Sequence, residues 1–321
     1  MKKCCCFIRG LTAVLQSVSA APQTCNMIIN FGSINIDYVY RVKNFVQPGE
    51  TITSQNLSRH IGGKGANQSV ACARAGAKVR HIGAVGSDGK FILDELQNNG
   101  IDVSCVYLSE QSTGHAVIQV NDQGENSIIL HPGANFDLPE KIIDEALASA
   151  DQNDFILLQN ELSASAQIMK KAAAKKLKIA FNAAPMNNTV KTFPLELLHT
   201  LFINETEGET LTDLKKPEDI IKKLIDRFPL LNIILTLGAD GALYAKGAER
   251  IKVLAEKVKA VDTTAAGDTF TGYYLAALQK GLNVEKALQL AVSAAGICVT
   301  GFGAIPSIPW YKEVEAVSAA K

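Results

Sequence analysis

The 321-residue sequence lacks the features that mark several protein classes. Its 32 basic and 32 acidic residues give a formal net charge of +0, so it has no charge excess for a nucleic-acid or membrane surface. The seven cysteines form no Cys-x-x-Cys pair, and the five histidines show no metal-ligand spacing. Cys72, Cys105 and Cys298 are scattered through apolar segments, as buried thiols are, which favours a reducing cytosolic compartment.

The amino-terminal 26 residues depart from this composition. A basic start is followed by an apolar run, Cys4–Val18, and by Ser17–Ala21, which is similar to a signal-peptidase site. Arg9 interrupts the apolar run, and no other segment has the roughly 18 unbroken apolar residues that a membrane span needs. We predict that residues 1–26 are a disordered extension or sequence upstream of a misassigned start, with a cleaved secretory signal as the alternative.

Apolar runs alternate with helical patterns through the rest of the chain, which we expect to fold as one domain over residues 27–321. Short apolar runs predict buried strands. They are Met27–Phe31, Val79–Val85, Val103–Leu108, Phe155–Gln159, Ile179–Asn182, Leu201–Asn204 and Ile233–Leu237. The alternation predicts an α/β fold with a mostly parallel sheet covered by helices on both faces.

Residues 37–60 and 113–131 do not follow this pattern. Both segments alternate apolar and polar residues, and the second surrounds the hairpin signal Asn121-Asp122-Gln123-Gly124. We assign them to a small separate sheet that acts as a lid. One apolar face of such a sheet needs a partner, so pairing with the same sheet of a second chain predicts a homodimer.

The segment Ala260–Phe270 predicts a phosphate site. Small residues and Gly267 stand where a strand-like segment is expected to turn into a helix, which we predict over Phe270–Gln279. Unpaired N–H groups at a helix start bind anions, and Asp268 adds a carboxylate beside them. This pair of features suits phosphoryl transfer to a hydroxyl, although an aspartate there can also be only a helix cap.

Two polar segments are candidates for sugar contacts. Asn35 and Asp37 follow the first strand, face the same side and can hold vicinal hydroxyls, or they form a turn. The segment Gly62–Asn67 lacks the Walker spacing, but its glycines permit close approach to a ligand, or they form a hinge before a helix. Glu161 stands at the carboxyl end of a later strand, where α/β sheets bind ligands.

Two further segments are candidates for nucleotide contacts. Asn204–Glu207 follows a strand and offers carboxylates for water-mediated Mg²⁺ binding, or Glu205 and Glu207 are a charged first helical turn. Thr236–Gly241 ends an apolar strand, and its glycines leave room for a nucleotide or make a turn.

A third pair of segments is a candidate for a monovalent cation. Asp262 precedes the phosphate segment, and the glycines of Cys298–Gly303 leave backbone carbonyls free. One carboxylate with several carbonyl oxygens suits K⁺ better than Mg²⁺, although an ordinary loop after a helix is the alternative.

Together these segments resemble the PfkB-type carbohydrate kinases. The resemblance covers nearly all of Met27–Trp310 and is strongest in Gly62–Gly89 and Asp262–Gly272. It implies the ribokinase-like three-layer α/β/α fold with a β-sheet lid, and a cytoplasmic enzyme. The implied reaction is ATP-dependent conversion of D-ribose to D-ribose 5-phosphate, with Mg²⁺ and activation by K⁺. Alternatives are another acceptor (2-deoxyribose, fructose, 2-keto-3-deoxygluconate or adenosine) and a non-catalytic sugar-binding protein on this fold.

The resemblance also implies roles for single residues. Asp268 is the expected base, and Ala265, Ala266 and Gly267 are the expected anion hole. Expected sugar contacts are Asn35, Ile36, Asp37, Gly63, Lys64, Gly65, Ala66, Asn67, Glu161 and Asp268. Expected ATP contacts are Asn204, Thr236, Leu237, Gly238, Ala239, Asp240, Gly241, Gly267 and Asp268. Expected metal contacts are Glu207 for Mg²⁺ through water, and Asp262, Thr264, Cys298, Gly301, Gly303 and Ser307 for K⁺.

Two positions depart from the family pattern. Ala265 stands where many members have glycine, and Ala183 lies in Asn-Ala-Ala-Pro where Asn-Pro-Ala-Pro is commoner. We expect neither change to touch the chemistry.

Overall fold

The structure, a computed structural model, describes residues 27–319. The predictions for residues 1–26 lie outside the described residues. Within residues 27–319, no helix is both long and apolar enough to cross a membrane.

The described chain contains the following strands and helices. The strands are β1 (Ile28–Phe31), β2 (Asn35–Arg41), β3 (Asn56–Gly62), β4 (Val79–Ile82), β5 (Ala84–Val85), β6 (Tyr107–Leu108), β7 (Gly114–Val120), β8 (Asn126–His131), β9 (Phe155–Gln159), β10 (Lys178–Asn182), β11 (Thr200–Asn204), β12 (Asn232–Thr236), β13 (Ala242–Lys246) and β14 (Glu249–Val253). The helices are α1 (Lys64–Arg74), α2 (Lys90–Asn98), α3 (Glu140–Ala148), α4 (Ser165–Ala174), α5 (Glu205–Thr212), α6 (Pro217–Arg227), α7 (Ala266–Gln279), α8 (Val284–Cys298) and α9 (Tyr311–Ala319).

The central sheet has eight strands in the order β14-β13-β12-β11-β10-β9-β1-β4. Six neighbouring strands pair in parallel, namely β4, β1, β9, β10, β11 and β12. Strands β13 and β14 extend the sheet as an antiparallel hairpin. The mostly parallel sheet predicted from the sequence is confirmed. The hairpin was not predicted.

Helices cover both faces of this sheet because successive strand residues point to opposite sides. On β9, Leu157 belongs to one hydrophobic cluster and Leu158 to the other. The first cluster includes Val70 of α1, Leu275 of α7 and Leu288 of α8. The second takes in α3, α4 and α6. The predicted three-layer α/β/α arrangement is therefore confirmed.

A second sheet, which we call the lid, has the order β3-β2-β7-β8. It starts at Asn35 rather than at Asp37. Strand β2 pairs antiparallel with β3 and parallel with β7. All of β8 is exposed, including Ile128 at 54% and Ile129 at 67%. Leu130 is also exposed, so three consecutive apolar side chains of this edge strand are uncovered in the single chain.

Three predicted elements near the site differ from the prediction. Ala260 and Val261 lie in a loop rather than at a strand end, and Val261 is exposed. Helix α7 starts at Ala266, not at Phe270, so Gly267 and Asp268 lie in its first turn. Helix α1 starts at Lys64, so the second half of the segment Gly62–Asn67 is helical. The backbone after β1 packs closely on this first turn, since a Cβ at Gly65 would be 2.3 Å from Ser33 N.

Candidate active site

The buried carboxylate of Asp268 lies where α7 meets α1 at the carboxyl ends of the parallel strands. Asn67 Nδ2 donates to Asp268 Oδ2 over 3.1 Å, and Gln68 Nε2 donates to Asp268 Oδ1 over 2.8 Å. Both donors come from the first turns of α1. Asp268 makes no side-chain cap for α7, and its side chain is instead held by a second helix.

The start of α7 presents backbone N–H groups beside this carboxylate. The first helical bond runs from Thr269 N–H to the Ala265 carbonyl over 2.8 Å. Ala266 N–H contacts the Thr263 carbonyl at 3.3 Å, so Gly267 and Asp268 supply the amides that remain for an anion. A Cβ added to Gly267 would have open space around it. A phosphate oxygen can therefore reach these amides.

Ala265 adopts a left-handed backbone conformation with φ 62°. This conformation is strained for any residue with a Cβ and suits glycine. Alanine in place of glycine at this position therefore strains the backbone directly before the amides of the anion site.

Glu161 is tied to the loop after β1 and to the start of α1. Its Oε2 accepts a short hydrogen bond from Ser33 Oγ and a 3.0 Å bond from Lys64 N–H. Asn35 Oδ1 accepts from Asn135 Nδ2 over 2.7 Å. The structure thus brings Asn35 and Glu161, predicted from distant segments, to one side of the site.

Asp37 lies against Gly62, where a Cβ would be 2.1 Å from Asp37 Oδ2. Burial raises the pKa of Asp37 to about 6, with a further contribution from the nearby Glu161. Burial also raises the pKa of Glu161. The pKa of Lys64 is raised by Asp268 above all, and also by Glu161 and Glu207. One ammonium group therefore offsets a crowded set of carboxylates.

Asn67 has an unused acceptor in this region. Its Oδ1 is buried and has no hydrogen-bond partner among the described residues. Because buried polar atoms are nearly always paired, this oxygen is a natural acceptor for a ligand hydroxyl. The contact expected from the sequence fits the geometry.

The predicted nucleotide segments meet at the same edge of the sheet. Asn204 and Thr236 are partners in the register of β11 and β12. Asn204 and Glu207 form a capping box, in which each side chain accepts the other's backbone N–H over 2.8 and 2.9 Å. Glu207 thus lies in the first turn of α5, as the alternative to a Mg²⁺ contact predicted. Burial raises the pKa of its carboxyl group. The loop residues Ala239 and Asp240 are exposed.

The residues predicted to hold a monovalent cation also come together. Asp262 accepts bonds from Thr264 N–H and from Gly303 N–H, both at 2.9 Å. Ser307 Oγ donates to the Gly303 carbonyl over 2.6 Å and lies 3.1 Å from Cys298 Sγ. Gly301 joins this turn through its N–H, which donates to the Cys298 carbonyl. The Asp262 carboxylate thus lies beside the hydroxyl of Ser307 and the carbonyl of Gly303 in one turn.

Several polar residues at the site were not singled out from the sequence. They are Ser33, Gln68, Asn135 and, deeper in the fold, Asn30, Ser69, His81 and Gln159. Asn30, His81 and Gln159 each stand in a strand of otherwise largely apolar residues, and all three are buried. A polar side chain in a buried strand is a signal that needs a partner elsewhere in the fold.

Comparisons with known proteins agree with this geometry. The model of the family described as pfkB family carbohydrate kinase matches residues 26–311. The chain is 40% identical over 292 residues to a ribokinase from Haemophilus influenzae, covering 88% of this chain and 95% of that protein. A ribokinase from Cryptococcus neoformans solved with ADP has a TM-score of 0.82 at 34% identity, covering 91% of this chain and 99% of that one. Arabidopsis thaliana ribokinase, solved with ribose and ATP, has a TM-score of 0.80 at 29% identity, with coverages of 91% and 98%.

Proposed function

The chain belongs to the pfkB family of carbohydrate kinases, and we propose that it transfers the γ-phosphoryl group of ATP to the primary hydroxyl of D-ribose. The observation that carries the proposal is the pairing of Asp268 with the free amides at the start of α7. A base and an anion site then share one turn of one helix. Relatives named ribokinase support ribose as the acceptor, and two of them are solved with ribose and ATP or with ADP.

In the proposed reaction, the sugar lies between the lid and α1. Asn35 and Asp37 on β2, Asn67 on α1 and Glu161 after β9 offer oxygens and amides for its hydroxyls. Asp268 accepts the proton of the primary hydroxyl as that oxygen attacks the γ-phosphorus and the bond to ADP breaks. The amides of Gly267 and Asp268 hold the charge that spreads over the transferring group.

ATP would lie over the carboxyl ends of β11 and β12, against Asn204 and the loop Thr236–Gly241. Mg²⁺ takes few protein ligands and keeps several waters. Within residues 27–319, no cluster of three His, Cys, Asp or Glu side chains suits a metal. Glu207 Oε2 accepts the Asn204 N–H, so Mg²⁺ near this carboxylate would be held through water. The ion would neutralise charge on the phosphates.

K⁺ fits the turn formed by Asp262 and the segment from Cys298 to Ser307. The ligands would be the Asp262 carboxylate, the carbonyls of Thr264, Cys298, Gly301 and Gly303, and Ser307. A single negative charge with neutral oxygens matches a large monovalent ion. A bound ion would order the loop that leads into Ala265 and hence the anion hole.

We also propose a homodimer formed through the lid and a cytoplasmic location. The exposed edge strand β8 supports the first proposal, since its three large apolar side chains, Ile128, Ile129 and Leu130, are all uncovered in the single chain. The buried thiols of Cys72 and Cys298 and the use of ATP support the second.

A coupled assay of ADP release over a panel of sugars and nucleosides tests the proposed function. We expect ribose to give the highest kcat/KM, with phosphate on its primary hydroxyl. A higher value for 2-deoxyribose, fructose, 2-keto-3-deoxygluconate or adenosine would identify another acceptor. Sugar binding without ADP release would identify a non-catalytic binding protein.

A further inference from the structure

A chain of buried amide side chains runs behind the site from Asp268. Gln68 Nε2 donates to Asp268 Oδ1 over 2.8 Å, and Gln159 Nε2 donates to Gln68 Oε1 over 2.7 Å. The same Gln159 nitrogen donates to Asn30 Oδ1 over 2.9 Å. Gln68 and Asn30 have no solvent exposure, and Gln159 has 1%. Gln159 thus donates in two directions, to Gln68 on the side of the carboxylate and to Asn30 on the other side.

The hydrogen bonds on the Asn30 side end on main-chain carbonyls, which can only accept. Asn30 Nδ2 donates over 2.8 Å to both the Gly65 carbonyl and Ser69 Oγ. His81 Nδ1 lies 2.8 Å from Ser69 Oγ, and His81 Nε2 lies 3.0 Å from the Gly32 carbonyl. Burial lowers the pKa of His81 to about 4, so the ring is neutral. Its Nε2 therefore donates to Gly32, and its Nδ1 accepts from Ser69.

The Gly65 carbonyl fixes the orientation of every amide between it and the catalytic carboxylate. Asn30 must turn its NH₂ to that carbonyl, which leaves its oxygen for Gln159. Gln159 must then present its NH₂ to Asn30 and, with the same group, to the oxygen of Gln68. The NH₂ of Gln68 remains for Asp268. Replacing this donor by an acceptor would require all three amides to reverse.

We propose that Gln68 and Gln159 are positioning residues for phosphoryl transfer, which hold the Asp268 side chain in a single orientation. The inference rests on the proposed function, because Asp268 is the base there. A reacting group that is held before the substrates bind needs no rearrangement in the transition state. Gln159 acts entirely through Gln68. A merely structural network would instead affect folding and leave turnover unchanged.

Gln159→Met is the principal test, because it removes both donated bonds with little change in volume. We expect kcat to fall at least tenfold, with KM for ATP and for ribose within twofold of the parent. Asn232→Leu is the matched control. Asn232 is also buried and makes two bonds, to the His199 carbonyl at 2.6 Å and from Tyr244 OH at 2.8 Å, but it starts β12 and so lies at the end of the strand away from the site. It should lose stability and keep kcat.

A double-mutant cycle separates positioning from general damage. In an Asp268→Asn background, Gln159→Met should lower the residual rate by less than twofold, since the group it positions is no longer a base. A folded Gln159→Met with kcat within twofold of the parent would overturn the proposal, and so would an equal loss in both backgrounds. If Gln159→Met does not fold, Gln68→Met is judged by the same criteria.

The proposed function fails in a different way. If the parent protein phosphorylates another acceptor better than ribose, the proposed substrate is wrong, and the double-mutant cycle is run with that acceptor. A parent without phosphotransfer to any acceptor overturns the proposed function and this inference together.

Discussion

Gly272 lies one helical turn after Asp268 on α7, and a Cβ on Gly272 would be 2.4 Å from the Cβ of Ala71 on α1. The missing side chain lets the two helices approach where Asn67 and Gln68 reach the carboxylate. The separation of α1 and α7 is therefore part of the geometry around Asp268.

Gly272→Ala should push α1 away from α7. We expect the free energy of unfolding to fall by about 1–3 kcal/mol, as in other overpacked cores. We also expect kcat to fall by more than tenfold. Denaturant unfolding and steady-state kinetics would measure the two effects. Gly296→Ala on α8 is the control, because a Cβ there meets no atom within 4 Å. That variant should keep its rate, and an equally active Gly272→Ala would contradict the argument.

Asp268→Asn should keep the fold and ribose binding while kcat falls by about 10²–10⁴, the usual contribution of a general base. The amide keeps the size of the side chain and an acceptor for Gln68, but it accepts no proton. Kinetics would give the rate, and calorimetric titration with ribose the affinity. Near-normal turnover would remove Asp268 from the chemistry.

Asp37 gives the folded chain a pH dependence that substitution can isolate. Its pKa of about 6, against an ordinary 3.8, means that folding favours the protonated carboxyl. The associated stabilisation is complete below about pH 4 and is lost as the pH rises through about 6. Relative to Asp37→Asn, the parent should therefore lose up to about 3 kcal/mol of unfolding free energy over this range. Urea unfolding at several pH values would measure it, and a constant difference would show an ordinary pKa.

Asp262→Ala tests the cation site. In the parent, replacing Na⁺ by K⁺ should raise activity several-fold and raise the unfolding temperature, because the ion orders the loop before α7. The variant should lose both responses and retain a basal rate. Equal rates and equal unfolding temperatures of the parent in K⁺, Na⁺ and a bulky organic cation would exclude the site.

Placing lysine at both Ile128 and Ile129 tests the dimer, since neighbouring strand residues point to opposite faces. We expect light scattering to give a dimer for the parent and a monomer for this variant, because buried unpaired charge is costly. Leu230→Lys, at a residue that is 82% exposed in a loop before β12, should leave the mass unchanged. A parent that is monomeric and fully active would contradict assembly through the lid.

The parallel sheet was predictable because a strand covered on both faces is apolar throughout, as in Phe155–Gln159 up to its last residue. The hairpin of β13 and β14 lies at the sheet edge, and Glu249–Val253 mixes charged and apolar residues. Such a pattern is not distinguishable locally from a loop. Ala260 and Val261 show the converse, since two apolar residues suggested a strand where the chain is exposed.

The candidate site could be predicted where neighbouring residues carry it, as with the amide of Gly267 and the carboxylate of Asp268. The support of that carboxylate was not, because it depends on contacts between residues far apart in the chain. Gln68 precedes Asp268 by 200 positions, and Gln159 is 91 positions from Gln68. Which strands become neighbours decides whether such a buried amide finds its partner.

Strand β2 carries Asn35 and Asp37 at its start and belongs to the lid along its whole length, with Asn35 opposite Gly62 at the end of β3. In the proposed dimer, a change at the contact between the subunits would therefore also shift the residues that we propose to hold the acceptor. Among relatives that have diverged to different sugars, we expect substitutions to concentrate along β2 and β3, while the three-layer body changes independently of acceptor choice.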